Sequence, residues 1–395
     1  MSKIDDLIAR YCPNGVEYKL LGDLEDKGFI KLGRGNVISK TDLRDNPGDY
    51  PVYSSSATGN GALGYYSKYM FDDERLSWSI DGGGRFFYRP KHKYSITNVC
   101  GWLKVLNEEK LSTKYLFYVL TNEWVKKVFD YTKKAHPSVI RKEYTIPIPP
   151  LAVQEEIVNI LDSFTLLEAK LVAELVARKQ QYEHYRDELL NIANKPNVQI
   201  MTLSEICSFR RGSFPQPYGE AKWYGGDGGK PFVQVVDVST DLRLVSDTKN
   251  KISVLAQPMS VFVPKGTVIV SLQGSIGRVA ITQYDSYVDR TLAIFSDYKI
   301  DILKKYFAYQ IQRLFGIKKE IARGSTIKTI TKEEFSKFTI PVPPLAEQER
   351  IVSILDKFDA LVNDISDGLP AEINARRQQY EYYRNKLLNF EPMAA

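Results

Sequence analysis

The chain has 395 residues, 43% hydrophobic and 26% charged, which fits a soluble globular protein of roughly two to four domains and excludes a disordered or fibrous one. A formal net charge of +6 leans toward a polyanionic partner, but the bases are spread among nearly as many acids, so charge alone does not decide for nucleic acid. Three scattered cysteines (Cys12, Cys100 and Cys207) argue against a disulfide framework, the charged start MSKIDDLIARYC has no signal-peptide core, and no apolar run reaches the ~18 residues of a membrane span, so the cytoplasm is the expected location.

The first block, residues 1–145, opens on KIDDLIARY, expected to pack beside the end of the last helix of the chain. Short β-branched and aromatic runs then alternate with Gly, Asn, Asp and Ser turns. YPVYSS, GALGYYS and SITNVCGWLKV read as strands and hairpins, and TKYLFYVLTNEWVKKVF as a helix.

Residues 146–195 differ in kind. Pro149 and Pro150 end a strand-like YTIPI and suit a first helical turn, and no proline or glycine follows from Leu151 to Lys195. Apolar and aromatic residues recur at steps of three and four through Ile157, Ile160, Phe164, Leu167, Leu171 and Leu175, and the series continues through Arg178 to Tyr182, Tyr185 and Leu189. That spacing predicts a coiled-coil seam with a stutter.

The second block, residues 196–339, repeats the mixed pattern with KPFVQVVDVS, KGTVIVSLQGSIGRVAI and TLAIFSDY, then the helical DILKKYFAYQIQRLFGIKKEI. Residues 340–395 carry a second seam at Ile351, Ile354, Phe358, Leu361, Ile365, Tyr380, Tyr383 and Leu387. Gly368 and Pro370 are placed to kink or restart this helix.

The two helical stretches are copies. IPIPPLAVQEEIVNILDSF from Ile146 and IPVPPLAEQERIVSILDKF from Ile340 agree at 14 of 19 positions. Their separation is far beyond the roughly 20–50-residue period of a solenoid, so a domain-sized unit is duplicated. ARKQQYEHYRDELLNI from Ala177 and ARRQQYEYYRNKLLNF from Ala375 extend the match, with four extra residues around DGLPAE in the second copy. Within the blocks, SWSIDGGGRFFY resembles VSLQGSIGRVAI more loosely. The expected fold class is α+β, with two globular blocks separated by two long antiparallel coiled-coil helices under a pseudo-two-fold. Pairing within one chain is favoured because two equal seams can satisfy each other; homodimerisation or separate packing are the alternatives.

Catalytic signatures are missing. There is no GxxxxGK[ST] phosphate loop and no GxSxG elbow. His92, His136 and His184 have no metal-ligand spacing, so no metal site is expected. IPPLA and VPPLA lack the aromatic of the Asn/Asp-Pro-Pro-aromatic motif of amino-methyltransferases.

Two divergent blocks alternating with two near-identical helices, each opened by IP[IV]PPLAxQExIVxILDxF, resemble the specificity subunits of type I restriction–modification systems along essentially the whole chain. The resemblance implies a non-catalytic subunit whose blocks are target recognition domains and whose helices are spacers. It implies double-stranded DNA as ligand, read as a bipartite asymmetric site, and two methyltransferase subunits that modify adenine N6. It also implies two motor-nuclease restriction subunits, where present. No cofactor is expected in this chain: S-adenosylmethionine belongs to the methyltransferase partner, and ATP and Mg to the motor partner. Loop residues with suitable donors are the candidates for DNA contact: Arg34, Ser55, Asn60, Arg85, Lys134 and His136 in the first block, and Arg211, Gln273, Ser275, Arg278, Arg323 and Lys328 in the second. For each of them a solvated loop role is the competing reading. The four extra residues would add about 6 Å of helix, close to two base pairs at ~3.4 Å each, if the helices act as rulers. Two rivals stay open: a two-lobed coiled-coil structural adaptor, and the specificity chain of a type II-like or orphan methyltransferase.

Overall fold

The computed structural model describes residues 3–55, 61–81, 83–129, 133–321, 332–364 and 367–393, with backbone alone at 318–321 and 332. Asn60, Arg323, Lys328 and Ile365 lie outside the described residues. The chain divides into two compact units, Met1–Lys170 with Ile373–Ala395, and Leu171–Glu372. The division falls inside the helix Leu151–Leu190.

In the first unit an antiparallel sheet runs in the order Ile30–Arg34, Cys100–Val105, Arg75–Ser79, Phe86–Arg89. A smaller sheet joins Ala62–Tyr66 antiparallel to Tyr50–Tyr53, which runs parallel to Ser95–Ile96. The helix Thr113–Trp124 covers the larger sheet, burying Tyr115, Leu116 and Val119 with Leu76, Trp78 and Leu103. Gly101 stands opposite Trp78 in the ladder, and a Cβ there would lie 2.2 Å from the indole, so this strand position accepts only glycine. The ribbon of Tyr18–Leu20 with Thr145–Pro147 ties the entry of the block to its exit.

The second unit repeats the strand order with different residues. Its larger sheet is Ser208–Arg211, Leu292–Ser296, Val268–Ser271, Val279–Ile281. Its other sheet is Asn250–Ile252, Lys230–Val233, Ser286–Val288, Val261–Val263, again with one parallel pair, Lys230–Val233 with Ser286–Val288. The ribbon is Gln199–Thr202 with Thr339–Val342, and the covering helix is Lys304–Ile321.

The duplicated PPLAxQ words start each long helix by locking it to its own globular core. Gln154 is fully buried; its Nε2 donates to Lys110 O and Pro149 O at 2.8 and 2.7 Å, and its Oε1 accepts from Ser112 N at 2.9 Å. Gln348 does the same, donating to Pro343 O and accepting from Leu303 N, both at 2.9 Å. Asp162 of the first ILD accepts from Tyr118 Oη and pairs with Lys114, both at 2.5 Å. Asp356 of the second accepts from Tyr309 Oη at 3.3 Å and pairs with Lys305 at 2.7 Å.

The helix starts differ from the expected seam in what they face. Val153, Ile157 and Leu161 are buried in the first unit's core, and Ile351 and Leu355 in the second's, because the ribbon sets the first turns of each helix against the sheet layer. Farther along, Phe164 stacks on Tyr383 at 5.4 Å and Glu168 pairs with Arg377 at 2.7 Å in the first unit. Ile160 and Tyr380 are half-buried on the same core, and Leu387 is buried in it. In the second unit Tyr182 and Tyr185 lie on Phe358, and Leu189 packs on the core. Leu171 and Ile354 are half-buried, whereas Leu167 and Leu361 remain exposed.

The restart expected at Gly368 and Pro370 is present. The first helix is continuous for 40 residues, but the second is two helices of 19 residues, Leu345–Asn363 and Leu369–Leu387. Of the extra residues Gly368 to Ala371, Gly368 lies in the break and Leu369, Pro370 and Ala371 open the second helix, so they do not lengthen one continuous rod. A Cβ at Gly368 would lie 2.5 Å from Ala360 O and 2.8 Å from Asp364 O, so the chain can close on the preceding helix end only through glycine. Pro370 then occupies the first turn of the new helix, where its missing N–H costs nothing.

KIDDLIARY forms the helix Lys3–Tyr11, and Ile4 joins Leu387, Leu388 and Phe390 in the first unit's core. Tyr18 Oη donates to Phe390 O at 2.8 Å, and Val16 N to Glu391 O at 2.9 Å, so residues near both ends of the chain are fastened together.

Candidate nucleic-acid interface

In the first unit, three sequence candidates meet at one end of the larger sheet. Trp78 Nε1 donates to Ala135 O at 2.7 Å, Ala135 N to Ile80 O at 3.0 Å, and Trp124 Nε1 to Gly83 O at 2.6 Å. These bonds bring the Gly-rich hairpin loop and residues 133–136 together. Arg85 is exposed, with its guanidinium 5.2 Å from the Phe87 ring centroid. Lys134 pairs with Asp81 at 2.9 Å. His136 caps the helix Pro137–Glu143, its Nδ1 accepting from Ser138 N at 3.3 Å, which leaves Nε2 as the outward donor.

Arg34 and Ser55 sit elsewhere, around the turn that follows Ser95–Ile96. Arg34 Nε donates to Asn98 O, and its carbonyl accepts from Trp102 Nε1 at 3.0 Å. Ser55 follows Ser54, whose Oγ accepts from Thr97 Oγ1 at 3.0 Å.

In the second unit, Gln273, Ser275 and Arg278 share the loop between Val268–Ser271 and Val279–Ile281. The buried Ser271 Oγ accepts from Arg278 N at 2.9 Å and donates to Ser275 O at 2.6 Å, so the loop is held from inside. Gln273 is half-exposed and Ser275 exposed. Arg278 is directed back into the unit: its Nη1 donates to Val238 O at 3.1 Å and it lines a cleft of about 520 Å³ with Lys179, Arg186 and Asp359. Arg85 and Arg278 therefore follow matching glycines (Gly84 and Gly277, both at φ +77°) yet meet different surroundings.

Arg211 ends its strand as Arg34 does. Gly35 and Gly212 follow them, and a Cβ at either would lie 2.1 Å from a carbonyl of the neighbouring parallel strand, Ile96 O or Val288 O. Gly35 N donates to Cys100 O and Gly212 N to Leu292 O, both at 3.1 Å. The turn beside each arginine, 97–99 and 289–291, was not among the sequence candidates. ITNVC and VDRTL agree at no position, and only their pairing in the sheets shows them to be counterparts. Cys100 and Cys207 are buried, and burial pushes their thiols up to about 11 and about 12, so neither is poised as a nucleophile. Among the described residues no His, Cys, Asp and Glu cluster could hold a metal ion, and no helix is long and apolar enough to cross a membrane.

Comparison with known proteins agrees with this duplicated architecture. Two segments, residues 13–177 and 196–375, match the family described as the type I restriction modification DNA specificity domain. A Haemophilus influenzae chain assigned as a type I restriction enzyme specificity subunit is 32% identical over 95% of this chain and 96% of its own. An Escherichia coli type I restriction enzyme specificity subunit is 33% identical over 72% of both chains. Among solved structures, a chain of a type I R-M system superposes with a TM-score of 0.60 at 17% identity, over 95% of this chain and 98% of that one. The type I S subunit of M. genitalium gives 0.56 at 14%, over 95% and 96%. The chain belongs to the family of type I restriction–modification specificity subunits.

Proposed function

We propose that this chain reads a bipartite, asymmetric double-stranded DNA site and docks two methyltransferase subunits that methylate adenine N6. One observation carries the reading: two units whose larger sheets share one strand order present different loops, while near-identical PPLAxQ…ILD segments lock each unit to its helix. Modules that meet the same partner twice should be alike where they dock, and should differ where direct readout depends on individual side chains. In this reading residues 1–145 and 196–339 are the target recognition domains. Residues 146–195 and 340–395 are spacers that pair as an antiparallel coiled coil under a pseudo-two-fold. The subunit itself is non-catalytic and acts in the cytoplasm. S-adenosylmethionine enters with the methyltransferase partner, and ATP and Mg with two restriction subunits where a motor is present. The DNA-contact candidates are those at the sheet ends and loops described above.

The test is methylome sequencing of cells co-expressing the chain with its cognate methyltransferase subunit. The expected result is N6-methyladenine in one split motif with a fixed gap. An assembled complex that leaves no such mark would favour the structural-adaptor reading. A motif together with neighbouring reading frames that encode no restriction subunit would favour the orphan or type II-like one.

A further inference from the structure

We infer that Asn98 and Arg290 are counterpart base-reading residues, Asn98 for an adenine in one half-site and Arg290 for a guanine in the other. The inference rests on the DNA-reading role proposed above. Each residue sits on the turn between a short parallel strand and the second strand of the larger sheet. The backbone bonds of the two turns correspond one for one. Thr97 N donates to Tyr53 O at 2.9 Å, as Asp289 N does to Val233 O at 3.0 Å. Cys100 N donates to Thr97 O at 3.0 Å, as Leu292 N does to Asp289 O at 3.1 Å. Ile80 N donates to Val99 O, as Leu272 N does to Thr291 O, both at 2.9 Å. Asn98 and Arg290 thus leave the same point of the same turn.

Both turns are held from beneath. Thr97 is buried and bonded to Ser54, and Asp289 is buried, accepting from Thr291 N at 2.9 Å and from Tyr218 Oη at 3.0 Å. Above this fixed base Arg290 is exposed, its guanidinium 5.4 Å from the Tyr218 ring centroid, and Asn98 is half-exposed. Beside each turn stands the same residue, Arg34 or Arg211, placed by a glycine that only a bare backbone could fit. A side chain repeated on the same backbone in both units cannot carry a difference between half-sites. What both halves offer it in common is the phosphate backbone, which positions without specifying. The side chain that changes on the same backbone is the one able to specify. Asparagine matches adenine N6 and N7 bidentately, and arginine matches guanine O6 and N7.

The experiment uses the full chain co-expressed with its methyltransferase subunit and reads the motif from N6-methyladenine. R290A is expected to relax one guanine in one half-site, its preference falling roughly 5- to 150-fold, and R290Q to move that position toward adenine. N98A relaxes one adenine in the other half only. R211A lowers methylation at all sites and leaves the motif unchanged, whereas R34A, which also removes the bond to Asn98 O, relaxes the Asn98 half-site as well. Unchanged motifs in R290A and N98A overturn the inference, as does relaxation of the same half by both. So does loss of all methylation in both R290A and R290Q while the complex still assembles. These outcomes stand against an intact wild-type motif. A wild-type complex without any split motif instead fails the DNA-reading proposal and takes this inference with it.

Discussion

Gln154 and Gln348 show why the repeated words are spelled as they are. Each is a buried amide that satisfies a backbone N–H and at least one carbonyl at the point where ribbon becomes helix. Gln154→Ala would strand Ser112 N–H and two carbonyls, and is expected to cost about 1–3 kcal/mol in urea denaturation of the full chain. A change within error would show that water replaces the amide. Asp162 and Asp356 were visible in the sequence as the D of ILD, but their partners, a Tyr and a Lys of the preceding block, were not. The cysteines make a separate prediction. Because burial raises the Cys100 and Cys207 thiols to about 11 and about 12, the thiolate is scarce below those values. Labelling of either by a thiol reagent at pH 8 should therefore be no faster than the opening of its unit. Rapid labelling of the folded chain would contradict this.

Helices are where the sequence pattern was most informative, down to the glycine that restarts the second one. A proline-free, glycine-free run gave a continuous helix over Leu151–Leu190, spanning about 60 Å. The same periodicity in the second copy is interrupted by a glycine that meets three carbonyls of the preceding helix end. Gly368→Ala is expected to lower stability by about 1–3 kcal/mol through that overpacking. A neutral effect on the melting curve would mean the break relaxes easily. If both helices act as rulers, deleting Gly368 to Ala371 should shorten the unread gap or abolish assembly of the complex. An unchanged gap with full activity would sink the ruler idea.

At the scale of the molecule, residues near the two chain ends complete one unit. Leu388 and Phe390 are buried beside Ile4, and Val16 and Tyr18 bond to Phe390 and Glu391. Truncation after Leu387 removes two buried side chains worth about 1.5–3 kcal/mol each. Calorimetry should show the first unit's transition moving down with the second's in place. A single transition that shifts as a whole would mean the units unfold together.

The sequence by itself determined the duplication, the long helices, the α+β character of the blocks and the family. Each of these is written in local periodicity or in recurring words, and backbone geometry translates both directly. Only the tertiary structure decided which loops face the same neighbourhood. It brought Lys134 and Arg85 to one hairpin, turned Arg278 back toward Val238, and matched Asn98 with Arg290 across two turns that agree at no position. Sheet pairing sets such equivalences through backbone hydrogen bonds, which constrain position without constraining residue type, and so leave no trace in the sequence at the positions that matter most for recognition.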